Sequence, residues 1–524
     1  MQQNEDDQSC SHTRRRFLSH LAGTMALSHP ASLTGMYQLV ETLLRSPARA
    51  EAAAVLLPEQ HILQGIQVIQ DDGTGTRTRD GQIEVVVPPL YHQTMTARLK
   101  IPTTPQALQE AQAHLEAVLR RLEQAYAPTP AGLSITLAWS LPYFEHYIPF
   151  LHQSSSYFAA GTRYPDYLPL DHQATAAAGK PMRAILDARL FPSDQPPPGR
   201  TKVLLEENHV AILLRSDVPA HIVDGATALF GPDSNQAGSL FELTSIRRGF
   251  VGGGFDGAQS LPCARARAAG VAGSACIPQN AELFMGFTST QKAALGLGRI
   301  ANLESLPGLT DQWPHGYFLH GTTLHLSHLL EDLNDWYGAV QMANQPASFA
   351  RRIQAAFRPG LTSPPGTRTV GEGLEQHADV ATIRQNLKTT GIVGHSASMQ
   401  PVTRLSQSVT DPYGTIYPTG TSLLQRSDFN TLDNPFFYSS DPERDGYMPT
   451  PAAGLHFATF ASTSDLFHRS RLAMDGHYAN GTTLDLDPRD RAMGINAFLF
   501  TTHRQNFLVP PRVHRSFPLA EFLK

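Results

Sequence analysis

Leu240-Phe241-Glu242-Leu243-Thr244-Ser245-Ile246, followed by Gly249-Phe250-Val251-Gly252-Gly253-Gly254-Phe255-Asp256-Gly257, is an extended run that breaks into a glycine cluster carrying one acid. Alternating apolar residues make Leu240 to Ile246 a strand. Glycines let the backbone take φ > 0 and come close to a ligand. Asp-Gly is also an ordinary turn dipeptide. Gly253-Gly254-Phe255-Asp256-Gly257 therefore reads in two ways: as a plain turn, or as a carboxylate presented to a ligand where a strand ends.

Working outward, strands and helices alternate around this stretch. Gln82 to Val87 and Thr94 to Ile101 read as extended. Thr104 caps a helix that starts at Pro105, and Leu108, Ala111, Leu115, Val118 and Leu122 recur at helical spacing. Leu133 to Trp139 is a strand, and an irregular insert spans about 141–207. Val210 to Leu214 is a buried-type strand, followed by a helix over Ala220 to Phe230. The second half repeats the alternation. It has strands at Leu283–Phe287, His320–Leu326, Ser422–Arg426, Gly454–Phe460 and Ile495–Thr501. Its helices run over Asp332–Val340, near Asp379–Leu387, and from Thr463 or Ser464 to Met474. This order predicts an α+β fold of duplicated ferredoxin-like halves with antiparallel sheets, in a dimeric barrel-like unit. The expected boundaries are a targeting segment at 1–50, an N-terminal half at 51–260 and a C-terminal half at 261–524.

The N-terminus and the composition bound the setting. Thr13-Arg14-Arg15-Arg16-Phe17-Leu18 matches a twin-arginine export signal, with an apolar segment to about Leu27 and Ala48-Arg49-Ala50 as a cleavage-type sequence. This predicts a periplasmic or extracellular protein that meets the twin-arginine translocon. The chain has 524 residues, 41% of them hydrophobic and 17% charged, and a net charge of -5. That is ordinary globular composition. No basic run beyond the signal would track phosphates, so nucleic acid is not expected as a partner. No later stretch of about 18 apolar residues suggests a membrane span. Beyond Cys10, the chain keeps Cys263 and Cys276, which in an oxidising compartment are expected to form a disulfide.

Duplicated halves, Gly253-x-x-Asp256-Gly257 after the last strand of the first half, and twin-arginine export together resemble the dye-decolorising peroxidases, haem enzymes of the chlorite dismutase-like superfamily. The resemblance implies haem b as cofactor, hydrogen peroxide and a small organic reductant as partners, and bulky phenols or dyes as substrates. It implies that Asp256 does acid-base work on the distal face of the haem, within a loop formed by Gly253, Gly254, Phe255 and Gly257. His395, in Gly394-His395-Ser396-Ala397-Ser398-Met399-Gln400-Pro401, corresponds to the iron ligand, with an acidic partner on its second nitrogen. Arg426 corresponds to the distal arginine that stabilises developing charge, with Arg404 in reserve. Two positions differ from the family pattern. The histidine is followed by Ser-Ala-Ser-Met-Gln-Pro rather than by Arg and Asn-Pro, and Asp428 stands where an Arg-x-Asn pair is usual.

Two other functions fit the same residues. One is a haem carrier or sensor without turnover. The other is a non-haem protein holding copper or another transition metal on His320, His325 and His328. His456, in a strand, is a further rival to His395 as ligand.

Overall fold

The computed structural model describes residues 58–60, 66–70, 82–86, 89–148, 167–198, 201–252, 260–279, 281–286, 299–338, 354–356, 359, 379–432, 451–487 and 494–523. The twin-arginine segment and Gly253, Gly254, Phe255, Asp256 and Gly257 lie outside the described residues.

Strands β1 (Ile66–Gln70) and β2 (Gln82–Val86) pair only with each other. The first half then runs β3 (Tyr91–Leu99), α1 (Pro105–Ala125), β4 (Ser134–Trp139), α2 (Leu141–Tyr147), α3 (His172–Ala178), β5 (Leu204–Leu205), β6 (Val210–Ser216), α4 (Pro219–Phe230) and β7 (Phe241–Phe250). The second half opens with α5 (Leu261–Ala268), β8 (Thr322–Glu331), α6 (Leu333–Tyr337), α7 (Val380–Thr390) and α8 (His395–Thr403). It continues through β9 (Val409–Thr410), β10 (Ile416–Tyr417), β11 (Gln425–Arg426), β12 (Phe429–Thr431), β13 (Gly454–Ala461), α9 (Ser464–Met474) and β14 (Leu499–Val509).

Eight of these strands close into an antiparallel barrel, in the order β7-β3-β6-β4-β14-β8-β13-β12 and back to β7. It consists of two quartets, β7-β3-β6-β4 and β14-β8-β13-β12. In each, the chain's first strand sits beside its fourth and third, with the second at the far edge. The quartets meet at two narrow seams. Asn430 pairs with Phe250 at one, and Leu508 with Trp139 at the other. Closure leaves no open edge on the ring.

Strand β6 shows why its residues read as fully buried. Val210, Ile212 and Leu214 point outward into a core shared with α1 and α4, while Ala211 and Leu213 point into the barrel with Leu324, Leu326, Ala458, Phe460 and Phe507. The two-residue alternation of a strand feeds two separate cores. Helix α1 begins as its sequence indicates: Thr104 Oγ1 accepts from Ala107 N at 3.4 Å, and Leu108, Leu115 and Leu119 are fully buried. Each such leucine contributes about 1.5–3 kcal/mol by leaving water.

The other end of the barrel interior is polar. His328 stacks near His456 and His503, with ring centroids 4.7 and 5.5 Å away. Arg247 is fully buried and grips Glu206 with 2.6 and 2.7 Å contacts. Arg215, also buried, donates to Ser427 Oγ and Thr136 Oγ1, each at 3.0 Å.

Three expected strands differ. Leu283–Phe287 is not a strand over its described residues, because side chains rather than a neighbouring strand bind its backbone. Asn430 Oδ1 accepts from Phe284 N, Tyr337 Oη donates to Phe284 O, and Trp336 Nε1 donates to Met285 O. Ser422–Arg426 pairs as a strand only at Gln425 and Arg426. Ile495–Thr501 opens with a 3-10 turn over Asn496–Phe498, and the strand proper runs on to Val509. The expected disulfide is absent. Cys263 is packed in an apolar cluster with Ala266 and Phe284, and its Sγ donates to Ile277 O at 3.5 Å.

Candidate functional site

The site lies on the outer face of the second quartet. Ser327, Leu329 and Glu331 alternate along β8 onto this face, as Leu455 and Phe457 do along β13. Helix α9 packs on part of the sheet through Phe467, which meets His325 and Phe457, and between α8, α9 and the strands lies an open cleft of about 1610 Å³ including its solvent mouth.

His395 is the first residue of α8. Gly394 precedes it at φ 85, a left-handed conformation that glycine adopts without strain. The imidazole lines the cleft, and among the described residues its buried Nδ1 has no hydrogen-bond partner. Burial, then the guanidinium groups of Arg426 and Arg471, lower its pKa to about 3. The ring is therefore neutral at physiological pH, the form that binds a metal.

Arg426 lines the same cleft. Asp428 Oδ2 accepts from its Nη2 at 2.7 Å and from its Nε at 3.1 Å, and the guanidinium lies 5.5 Å from the centre of the Phe457 ring. Asp428 thus fixes the arginine as an ion pair. Arg404 also lines the cleft and donates to Gly420 O at 3.2 Å. His395, Arg426 and Arg404 are brought together. Asp256 and its glycines lie outside the described residues.

The alternative histidines do not converge. His320 sits before β8 and pairs with Glu304 at 3.0 Å. His325 faces outward, stacks 3.5 Å from Phe467 and bonds Asn506 Oδ1 through Nδ1 at 2.7 Å. His328 and His456 face the barrel interior. Among the described residues no group of three or more His, Cys, Asp or Glu is arranged to hold a metal ion.

Sequence reasoning missed three groups in the cleft. Glu331 ends β8 with its carboxyl buried, and burial, then the nearby Asp428 carboxylate, raise its pKa to about 8. Arg471 and Arg504 share Asp194, at 3.5 and 2.6 Å. Arg504 was visible as a charge inside an otherwise buried strand, and Glu331 as an acid closing one. Both signals exist in the sequence, yet neither says which face is covered.

Several comparisons bear on this arrangement. No curated protein matches the chain. Solved structures similar to it include the encapsulated DyP-type peroxidase from Mycobacterium smegmatis, at 12% identity over 83% of this chain and 96% of that one, with a TM-score of 0.41. The DyP-type peroxidase from Cellulomonas bogoriensis is 15% identical over 87% of this chain and 96% of that one, with a TM-score of 0.43. DyPB from Rhodococcus jostii RHA1 is 11% identical over 82% and 96%, with a TM-score of 0.40. A family model described as a family of unknown function, DUF7405, matches residues 187–511. That match runs through the strands of the second quartet and every described wall of the cleft, and the chain belongs to DUF7405.

Proposed function

We propose that this protein is an exported haem peroxidase of the dye-decolorising type, which uses hydrogen peroxide to oxidise bulky phenolic or dye-like substrates. The observation that carries the reading is His395: a half-buried, neutral imidazole whose buried Nδ1 has no partner among the described residues, on the wall of a cleft that also holds Arg426. The spatial order common to both quartets supports reading them as duplicated ferredoxin-like halves.

The residues present fit haem b. Leu329, Leu455 and Phe457 would give an apolar wall to a macrocycle, His395 would hold its iron through an imidazole nitrogen, and Arg404, Arg471 and Arg504 would offer cations to its carboxylates. Haem bound there supplies the redox chemistry with peroxide. Arg426, held by Asp428, would stabilise negative charge developing on a substrate oxygen. Asp256 carries the acid-base role that the family resemblance implies. The apolar side chains keep water from the reacting atoms.

One observation favours a second reading, a haem carrier or sensor. His395 Nδ1 has no acidic partner among the described residues, and such a partner is what raises the basicity of an axial histidine. The full chain, reconstituted with haem beside His395→Ala, is expected to give a Soret band that the variant loses. Peroxide titration then separates turnover from storage. A band in neither protein overturns both haem readings.

A further inference from the structure

Glu331 is the one acid among the described residues that line the cleft. Its side chain is 8% exposed, and among the described residues its Oε2 has no hydrogen-bond partner and it forms no ion pair. The groups around it are set by the elements that pack there. Asp428, between β11 and β12, is a carboxylate already engaged by Arg426. Tyr337 of α6 brings a phenol whose pKa is itself raised by burial and by Glu331. β14 sets Leu499 opposite Glu331 in the ladder, and Ala453 O accepts the Glu331 N–H at 3.0 Å. His395, Arg404 and Arg471 line the same cleft from α8, its end and α9. A carboxylate at this place would face a low dielectric and the Asp428 carboxylate, with the Arg426 guanidinium already paired to Asp428. The neutral acid is favoured.

We propose that Glu331 is a further catalytic residue of the cleft, a carboxylic acid that gives its proton to an oxygen of the ligand bound against Arg426 and Asp428. The proposal rests on the peroxidase reading, in which that ligand is hydrogen peroxide. One O–H bond breaks on Glu331 and one forms on the departing oxygen, which leaves as water, while the proton of the retained oxygen goes to solvent; Glu331 thus takes the acid half of the role that the resemblance gives to Asp256. The carboxylate left behind regains a proton from solvent. The electrons for O–O cleavage come from the haem of that reading and are restored by the organic reductant. A pKa near 8 keeps this acid protonated at neutral pH and removes its proton above that value.

Two readouts on the full chain test this, with Glu331→Gln and Glu331→Asp. In the infrared, before haem is added, the wild type is expected to lose the carbonyl stretch of a protonated carboxylic acid as pH rises through about 8. Glu331→Gln lacks that transition. After haem loading, the peroxide reaction of the wild type is expected to fall about tenfold per pH unit on the alkaline side. Glu331→Gln loses this limb and reacts about 10²- to 10³-fold more slowly at pH 7, within the range for a lost general acid. Glu331→Asp regains part of the rate and keeps a limb. An infrared transition that persists in Glu331→Gln overturns the proposal. So does a haem-loaded Glu331→Gln with an unchanged limb, and in that case the peroxidase reading stands. If the wild type takes up no haem, the peroxidase reading falls and the catalytic role with it, while the infrared titration still reports the proton on Glu331.

Discussion

The outer face of the first quartet is filled, whereas that of the second is held open. On the first, α1 and α4 press Leu108, Leu115, Ile222 and Leu229 onto Val210, Ile212 and Leu214. On the second, α8 and α9 stop short of Ser327, Leu329 and Glu331, and the space between is lined by charges as well as by apolar groups. Both quartets share one strand order, so topology alone does not make the site. Withheld packing does. A sheet face that is not closed by side chains can bind something else, and polar groups there need no partner from the protein itself.

Acid should break this comparison most forcefully. His92, His325, His328 and His395 all have pKa values lowered from 6.5 to about 3, chiefly by burial, and none of them lies on the filled outer face. Each contributes stability that is present above 6.5 and is lost as pH falls toward 3, at up to about 1.4 kcal/mol per pH unit. Acting together, the four make the fold sensitive to acid over that window. Thermal melts should therefore collapse well above pH 4. A flat melting temperature from pH 7 to 4.5 would show that these rings are not held neutral.

Truncation compares the faces directly. Leu115→Ala in the filled core should cost about 2–5 kcal/mol in urea unfolding. Leu455→Ala on the cleft wall, which enlarges an existing space instead of opening a new cavity, should cost about 1 kcal/mol. Equal losses would mean that the second face is as tightly packed as the first. The smallest effect concerns the cysteines. Because Cys263 is held by apolar packing and is not joined to Cys276, adding a reductant should leave the melting temperature unchanged. A drop of several degrees would show that a disulfide forms between them.

Much of this was legible in the sequence where local physics decides. The run Val210 to Leu214, the Thr104–Pro105 start of α1 and the Asp379 start of α7 follow from alternation and capping. His395 and Arg426 fall in one cleft, as the family resemblance implies. The misses arise where distant groups decide. Leu283 to Gly286 is apolar enough for a strand, but Asn430, Trp336 and Tyr337 claim its backbone, and they come from over fifty residues away. Barrel closure rests on pairings between residues remote in sequence. Glu331 lies beyond the His320–Leu326 run expected as a strand, which in fact spans Thr322–Glu331, and alternation does not tell what stands opposite it.

Gly249, beside the seam of β7 and β12, has its own consequence. A Cβ there would lie 2.0 Å from Asn430 O, so only glycine lets these strands approach, while Asn430 clasps Phe250 O and Glu282 O through its side-chain amide. Mechanically the ring is two rigid staves joined by a clasp at each side. Under tension it should part at its seams before either stave loses a strand, so a chain that lost Gly249 would keep both halves of the vessel and lose its watertightness.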